Sequence, residues 1–116
     1  MKHLAADDLL QLRTRLSARE ARLVGEIEAT QRQIDERDLA GADLDPGQVD
    51  YAAALVRANL LRDQREIEQV RSALVRMDRG TYGRCLACGV GIPCARLHAE
   101  PATEYCHVCQ MRVEGE

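Results

Sequence analysis

The sequence has almost no aromatic residues. Its 116 residues include no tryptophan, no phenylalanine and only three tyrosines. Large aromatic side chains contribute much of the buried surface of ordinary cores, so a compact core would consist almost wholly of leucine, valine, isoleucine and alanine. Because charged residues make up 30% of the chain, we expect long helices that share a narrow apolar seam.

Long apolar runs and a secretory signal are also lacking. Asp7 and Asp8 precede the first apolar run, and no later segment approaches the ~20 apolar residues of a membrane-spanning helix. These features predict a cytoplasmic protein without a membrane segment. In that compartment structural disulfides are rare, and paired CxxC motifs usually bind metal or carry out redox chemistry.

The sequence also lacks an excess of positive charge. The net charge of −3 argues against general affinity for nucleic acid, which requires cations to neutralise phosphates. The charge is unevenly distributed, however. Residues 35–50 contain six acidic residues and one arginine, whereas residues 57–84 contain seven arginines.

Apolar residues recur at intervals of three and four in two segments, as in a coiled coil. They are Leu9, Leu12, Leu16, Leu23, Ile27 and Ile34, then Val56, Leu60, Ile67, Val70, Leu74 and Met77. Polar residues interrupt the pattern at Arg19 or Glu20 and at Asp63. Those residues either pair or set the helix register, or they face solvent beside a narrow seam.

The segment AGADLDPGQ, residues 40–48, separates the two helical patterns with a dense cluster of turn residues. We expect a second helix from about Val49 to Arg79, ended by Gly80. Residues 1–79 are therefore predicted to form an antiparallel two-helix coiled-coil hairpin with an acidic tip at about 40–50. That tip is either an ordinary solvated turn or an acidic probe.

All five cysteines lie between residues 85 and 109. Cys85 and Cys88 form one CxxC pair, and Cys106 and Cys109 form another after seventeen intervening residues. Four thiolates that converge in a tetrahedron favour structural zinc over an iron–sulfur cluster. Such a closed site has no open position for a reacting water, so we expect a small zinc finger over residues 80–116 and no enzyme activity.

Three further side chains of this region could in principle bind metal. Cys94 is interpreted as a small buried residue, although an alternative ligand or a redox-reactive thiol are also open. His98 and His107 are interpreted as ordinary surface or packing histidines, because four cysteines already complete the tetrahedron. The predicted fold class is mostly α, with two long helices and a C-terminal four-cysteine finger.

The stretch GTYGRCLACGVGIPCARLHAEPATEYCHVC, Gly80 to Cys109, resembles the zinc finger of the DksA/TraR family of bacterial transcription regulators. Family positions match at Gly83, Gly89, Ile92, Arg96, Leu97, Ala99 and Pro101. The resemblance implies a protein that binds RNA polymerase, without sequence-specific DNA binding. The coiled coil would enter the secondary channel and modulate initiation with its acidic tip.

The predicted tip departs from the family pattern. The family's tip usually has the form D-x-x-D-x-A, which Asp50 and Ala52 match in part, whereas Gly47 stands at the position of the first aspartate. Either Asp45 substitutes for that aspartate, or this tip works differently. Arg57, Arg62 and Arg65 are candidate polymerase-docking residues, and a plain solvated helix face is the alternative.

Some members bind the alarmone ppGpp through basic residues at the positions that Glu100 and Gln110 occupy here. We therefore expect weak or no dependence on ppGpp, because two cationic contacts to a polyanion are missing. The alternative functions are nucleic-acid binding through the arginine-rich helix and thiol redox sensing through Cys94 and the zinc cluster.

Overall fold

The computed structural model describes residues 3–40 and 51–115, without the side chains of 38–40. Within those ranges the chain forms helices α1 (Ala6–Ala40), α2 (Tyr51–Arg79), α3 (Cys94–Ala99) and α4 (His107–Glu114), and an isolated antiparallel bridge pairs Arg84 with Gly91. The predicted mostly α fold of two long helices followed by a cysteine-bearing module is confirmed. Residues 41–50 of the predicted tip lie outside the described residues.

Helix α2 ends where the sequence predicts. Gly80 has a φ of 75°, a left-handed conformation that glycine adopts without a steric penalty. The amide of Thr81 donates to the carbonyl of Arg76 at 2.9 Å, and the amide of Gly80 donates to the carbonyl of Met77 at 3.2 Å. These two hydrogen bonds form a Schellman motif, which satisfies the last carbonyls of the helix.

The chain divides into two compact units. The first unit comprises Met1–Glu20 and Glu68–Glu116. In this unit the start of α1 lies antiparallel to the end of α2, since Arg13 pairs with Asp78 and Glu20 pairs with Arg71. The seam residues Leu12, Leu16, Val70, Ala73 and Met77 are buried between them.

The polar residues Arg19 and Glu20, for which the sequence left pairing or exposure open, form ion pairs. Glu20 accepts from Arg71 at 3.0 Å, and Arg19 donates to Glu100 at 2.7 Å. The second pair joins α1 to the segment after α3 within the same unit.

The second unit, Ala21–Ile67, has a narrower core. Leu23 and Ile67 are buried, whereas Ile27, Ile34 and Val56 are half-buried. The side chain of Asp63 is 7% exposed, and its carboxylate lies 3.5 Å from the guanidinium of its neighbour Arg62, so this polar seam position is buried. In the described part of the chain no helix has the length and apolar character to span a membrane. The division at residue 79 between hairpin and finger stays a prediction.

Candidate metal centre

The first CxxC pair lies on a tight knuckle between residues 83 and 92. The amide of Ile92 donates to the carbonyl of Gly83 at 2.7 Å, and the amide of Cys85 donates to that of Val90 at 2.8 Å. Gly83 and Gly89 have φ values of 86° and 76°, which permit the chain to reverse within this short loop. The knuckle places the side chains of Cys85 and Cys88 side by side.

The second CxxC pair lies at the start of α4. Cys106 is the N-cap residue of this helix and Cys109 lies in its first turn, so both thiols are near the positive end of the helix dipole. The amide of Leu86 donates to the carbonyl of Glu104 at 2.9 Å and joins the two halves of the finger.

The four sulfur atoms of Cys85, Cys88, Cys106 and Cys109 all lie within 4.8 Å of one another. The sulfurs of Cys88 and Cys106 are 3.8 Å apart. In a tetrahedral zinc site with Zn–S bonds of ~2.3 Å, neighbouring sulfurs are separated by about 3.8 Å. The cluster therefore fits zinc, and these four cysteines form the predicted C4 centre.

The thiols of this cluster have opposed pKa shifts. Burial raises the pKa of Cys85, but backbone hydrogen bonds from Cys106, Cys88 and Ala87 outweigh that effect and lower the pKa overall. The hydrogen bond with Cys106, together with burial, raises the pKa of Cys109. Four adjacent thiols cannot all ionise without a compensating cation, and a bound divalent metal supplies that charge.

Tyr82 stabilises the finger from its interior. Its side chain is completely buried, and its hydroxyl donates a hydrogen bond of 2.8 Å to the carbonyl of Pro101. This bond joins the knuckle to the segment that precedes the second CxxC pair. Burial raises the pKa of Tyr82 to about 12.

This raised pKa predicts an alkaline transition. Tyr82 titrates near 10 when unfolded and at about 12 when folded, so the folded finger retains the phenolic proton that the unfolded chain loses. The resulting stability is complete below pH 10 and is lost as the pH rises from 10 to about 12. We expect the difference in tyrosinate absorbance between wild type and Tyr82→Phe to show a midpoint near 12. A midpoint near 10 in the folded protein would contradict the buried position of this ring.

Two residues near the N-terminus contact the finger although the sequence pattern gave no sign of it. The imidazole Nε2 of His3 donates to the carbonyl of Ile92 at 2.9 Å. The buried side chain of Leu4 lies so close to Gly83 that a Cβ at this glycine would be 3.0 Å from it. Gly83 therefore has two roles: its positive φ permits the knuckle, and its lack of a side chain leaves room for residues 3–4 to pack.

The remaining residues that the sequence singled out lie outside the C4 cluster or outside the described residues. Cys94 and His98 lie outside the C4 cluster and within a separate group that contains Asp8, whereas His107 is exposed. Burial and Asp8 raise the pKa of Cys94, which opposes the activated thiolate of a redox sensor. Arg57, Arg62, Arg65 and Ala52 are exposed. Asp45 and Asp50 lie outside the described residues.

The fold and the metal centre together define a helical protein with a C-terminal C4 zinc finger. Residues 80–115 match the prokaryotic dksA/traR C4-type zinc finger. Over 95% of its length the chain superposes on 85% of the transcription factor DksA2 from Pseudomonas aeruginosa, with a TM-score of 0.73 at 23% identity. The finger therefore matches the DksA/TraR type over residues 80–115, and the chain shares the fold of that transcription factor.

One further protein is similar to this chain in sequence. An uncharacterized protein of Aquifex aeolicus (strain VF5) is 36% identical over 92 residues, which are 78% of this chain. The matched region spans 63% of the length of that relative.

Proposed function

We propose that this protein is a transcription regulator that binds RNA polymerase through the secondary channel and modulates initiation with its acidic tip. The observation that carries the proposal is the superposition on transcription factor DksA2 over 95% of the chain, combined with the DksA/TraR finger at residues 80–115. The proposed role is regulatory, and the C4 centre has a structural task in it.

The proposed docking surface is the arginine face of α2. Arg57, Arg62 and Arg65 are exposed, and the side chain of Arg62 is 68% exposed while it lies beside Asp63. Guanidinium groups form bidentate bonds with carboxylates, so such a face suits an acidic rim on a protein partner. The proposed effector is the tip, with Asp50 and Ala52 first and Asp45 as the substitute for the missing aspartate.

Weak dependence on ppGpp is part of the proposal. Glu100 and Gln110 line one surface depression beside the carboxylates of Glu104 and Glu114, and Arg96 is the cation among its lining residues. A highly anionic ligand would meet repulsion in this depression.

One experiment separates docking from the effect on transcription. Zinc-loaded protein is added to core RNA polymerase for binding, and to holoenzyme on a ribosomal promoter for transcription. We expect Asp50→Ala to bind within twofold of wild type but to lose at least about 80% of the effect on transcription. The triple variant Arg57→Ala/Arg62→Ala/Arg65→Ala is expected to bind at least about tenfold more weakly, a difference of about 1.4 kcal/mol.

The control for the tip is Asp43→Ala, an aspartate of the same segment that lies outside the family pattern. It should bind and regulate as wild type does. Parallel reactions with and without ppGpp, on a polymerase without its own alarmone site, should differ by less than twofold. Absence of binding by the wild-type protein would refute the proposal and favour nucleic acid as the partner.

A further inference from the structure

A second group of metal-ligand side chains lies outside the C4 centre. The carboxylate of Asp8, the thiol of Cys94 and the imidazole of His98 place one ligand atom each within 4.8 Å of one another. In residues 3–37 and 51–115, this trio and the four cysteines are the groups that bring three or more such atoms together. The trio combines oxygen, sulfur and nitrogen donors from two parts of the first unit.

Helix α3 presents two of the three donors from one face. Cys94 and His98 are four residues apart in this helix, so their side chains lie one above the other a turn apart. The same spacing lets two histidines of an HExxH helix bind one zinc ion. The amides of Arg96 and Leu97 donate to the carbonyl of Pro93, and the side chain of Leu97 is completely buried. The helix that bears the donors is therefore held in place by packing.

The third donor comes from the first turn of α1. The carboxylate Oδ1 of Asp8 lies 2.9 Å from the Nε2 of His98. This hydrogen bond is the main cause of the lowered pKa of Asp8, to which a hydrogen bond with Cys94 also contributes. The carboxylate is thus ionised at neutral pH and faces both donors of α3.

The distances suit a small divalent transition-metal ion. In a tetrahedral zinc site an imidazole nitrogen and a carboxylate oxygen are about 3.3 Å apart, and a nitrogen and a thiolate sulfur about 3.6 Å. The His98–Asp8 pair would have to open by only a few tenths of an ångström from its 2.9 Å. The side chains of His98 and Asp8 are 31% and 32% exposed, so an ion can reach them from solvent.

We propose that Asp8, Cys94 and His98 bind a second divalent transition-metal ion of the zinc type, at a three-ligand site separate from the C4 centre. Binding of the ion releases the thiol proton of Cys94 to solvent, and the Nε2 lone pair of His98 binds the metal in place of the hydrogen bond to Asp8. The resulting set of thiolate, imidazole and carboxylate selects zinc or cobalt over magnesium and calcium, which prefer sites made of oxygen atoms. Three protein ligands leave a fourth position for water or a partner's side chain. The bound ion joins α3 of the finger directly to the first turn of α1.

The test is a metal titration of tag-free protein that already holds one zinc ion in its C4 centre. Cobalt(II) is the first probe, because a cobalt–thiolate bond has a charge-transfer absorption that zinc lacks. We expect one further equivalent of cobalt to bind with this absorption while zinc analysis shows that the first zinc stays bound. Zinc chloride, followed by calorimetry, should also bind with one further equivalent.

Single substitutions identify the ligands. Asp8→Asn and His98→Gln should each weaken the second equivalent at least about tenfold, and Cys94→Ser should abolish the cobalt absorption of the second site. The matched controls are Asp7→Asn, the neighbouring exposed carboxylate, and His107→Gln, an exposed imidazole of the same finger. Both should bind the second ion within twofold of wild type.

A fold check accompanies every variant. Retention of the first zinc and an unchanged helical circular dichroism spectrum show that the substitution has not unfolded the finger. If wild type binds only one metal ion per chain, the trio is an ordinary hydrogen-bonded cluster and the proposal is wrong. A second equivalent that persists unchanged in both Cys94→Ser and His98→Gln would also overturn it.

Discussion

Cys109→Ser is expected to unfold the finger and to release its zinc, while α1 and α2 stay helical. The thiol of Cys109 is buried in the cluster of four sulfurs, and a serine hydroxyl is a poor replacement for a thiolate ligand. A structural zinc site of this kind contributes on the order of 10 kcal/mol to the folding of its module. Few apolar side chains are available here to offset such a loss.

The measurement must report on the finger and not on the long helices. Helices α3 and α4 contain 6 and 8 residues, whereas α1 and α2 contain 35 and 29, so far-ultraviolet circular dichroism is dominated by the long pair. Amide NMR signals of Leu86 and Ile92, whose amides donate within the finger, are the suitable probes. They should lose their dispersion in Cys109→Ser.

Cys94→Ser is the matched control, since it removes a thiol of the same finger that lies outside the C4 cluster. This variant should retain one tightly bound zinc ion and dispersed finger signals. A dispersed finger in zinc-free Cys109→Ser would mean that packing alone holds this module. The assignment of a structural role to the metal would then be wrong.

Local spacing explains how much of this fold the sequence could predict. The intervals of three and four residues indicate the faces of α1 and α2, and Leu12, Leu16 and Val70 are completely buried as expected. Gly80 ends α2 because its left-handed conformation is a property of the residue itself. The C4 centre could also be predicted from local spacing, because the two cysteines of each CxxC pair are brought together by a tight turn.

The sequence contains no comparable spacing signal for contacts between distant parts of the chain. His3 bonds to Ile92 across 89 residues, and Asp8 to His98 across 90. No periodicity relates residues at such separations, so the sequence gives no sign of either contact. Pairing of Glu20 with Arg71 was open from the sequence because many arginines of α2 are equivalent in pattern, and only the helix register selects one.

Tyr82→Ala is expected to destabilise the finger by about 3–5 kcal/mol, the usual cost of deleting a large buried aromatic side chain. Tyr82 is completely buried, and the chain has no tryptophan, no phenylalanine and only two other tyrosines. The pair Tyr82→Ala and Tyr82→Phe separates packing from hydrogen bonding. Tyr82→Phe keeps the ring and removes only the donor to the carbonyl of Pro101, a loss of about 1–3 kcal/mol because that buried acceptor is left unsatisfied.

Transfer of zinc to a chromophoric chelator measures this loss directly, because the chelator must wait for the finger to open. Each 1.4 kcal/mol corresponds to a factor of about ten in the open population, so Tyr82→Ala should release zinc at least about a hundredfold faster and Tyr82→Phe about tenfold faster. Tyr51→Ala is the control, since this side chain is 79% exposed and should leave the rate within twofold. Equal rates for Tyr82→Phe and wild type would show that the hydroxyl adds nothing. The link between the knuckle and the segment before the second CxxC pair would then depend on packing of the Tyr82 ring alone.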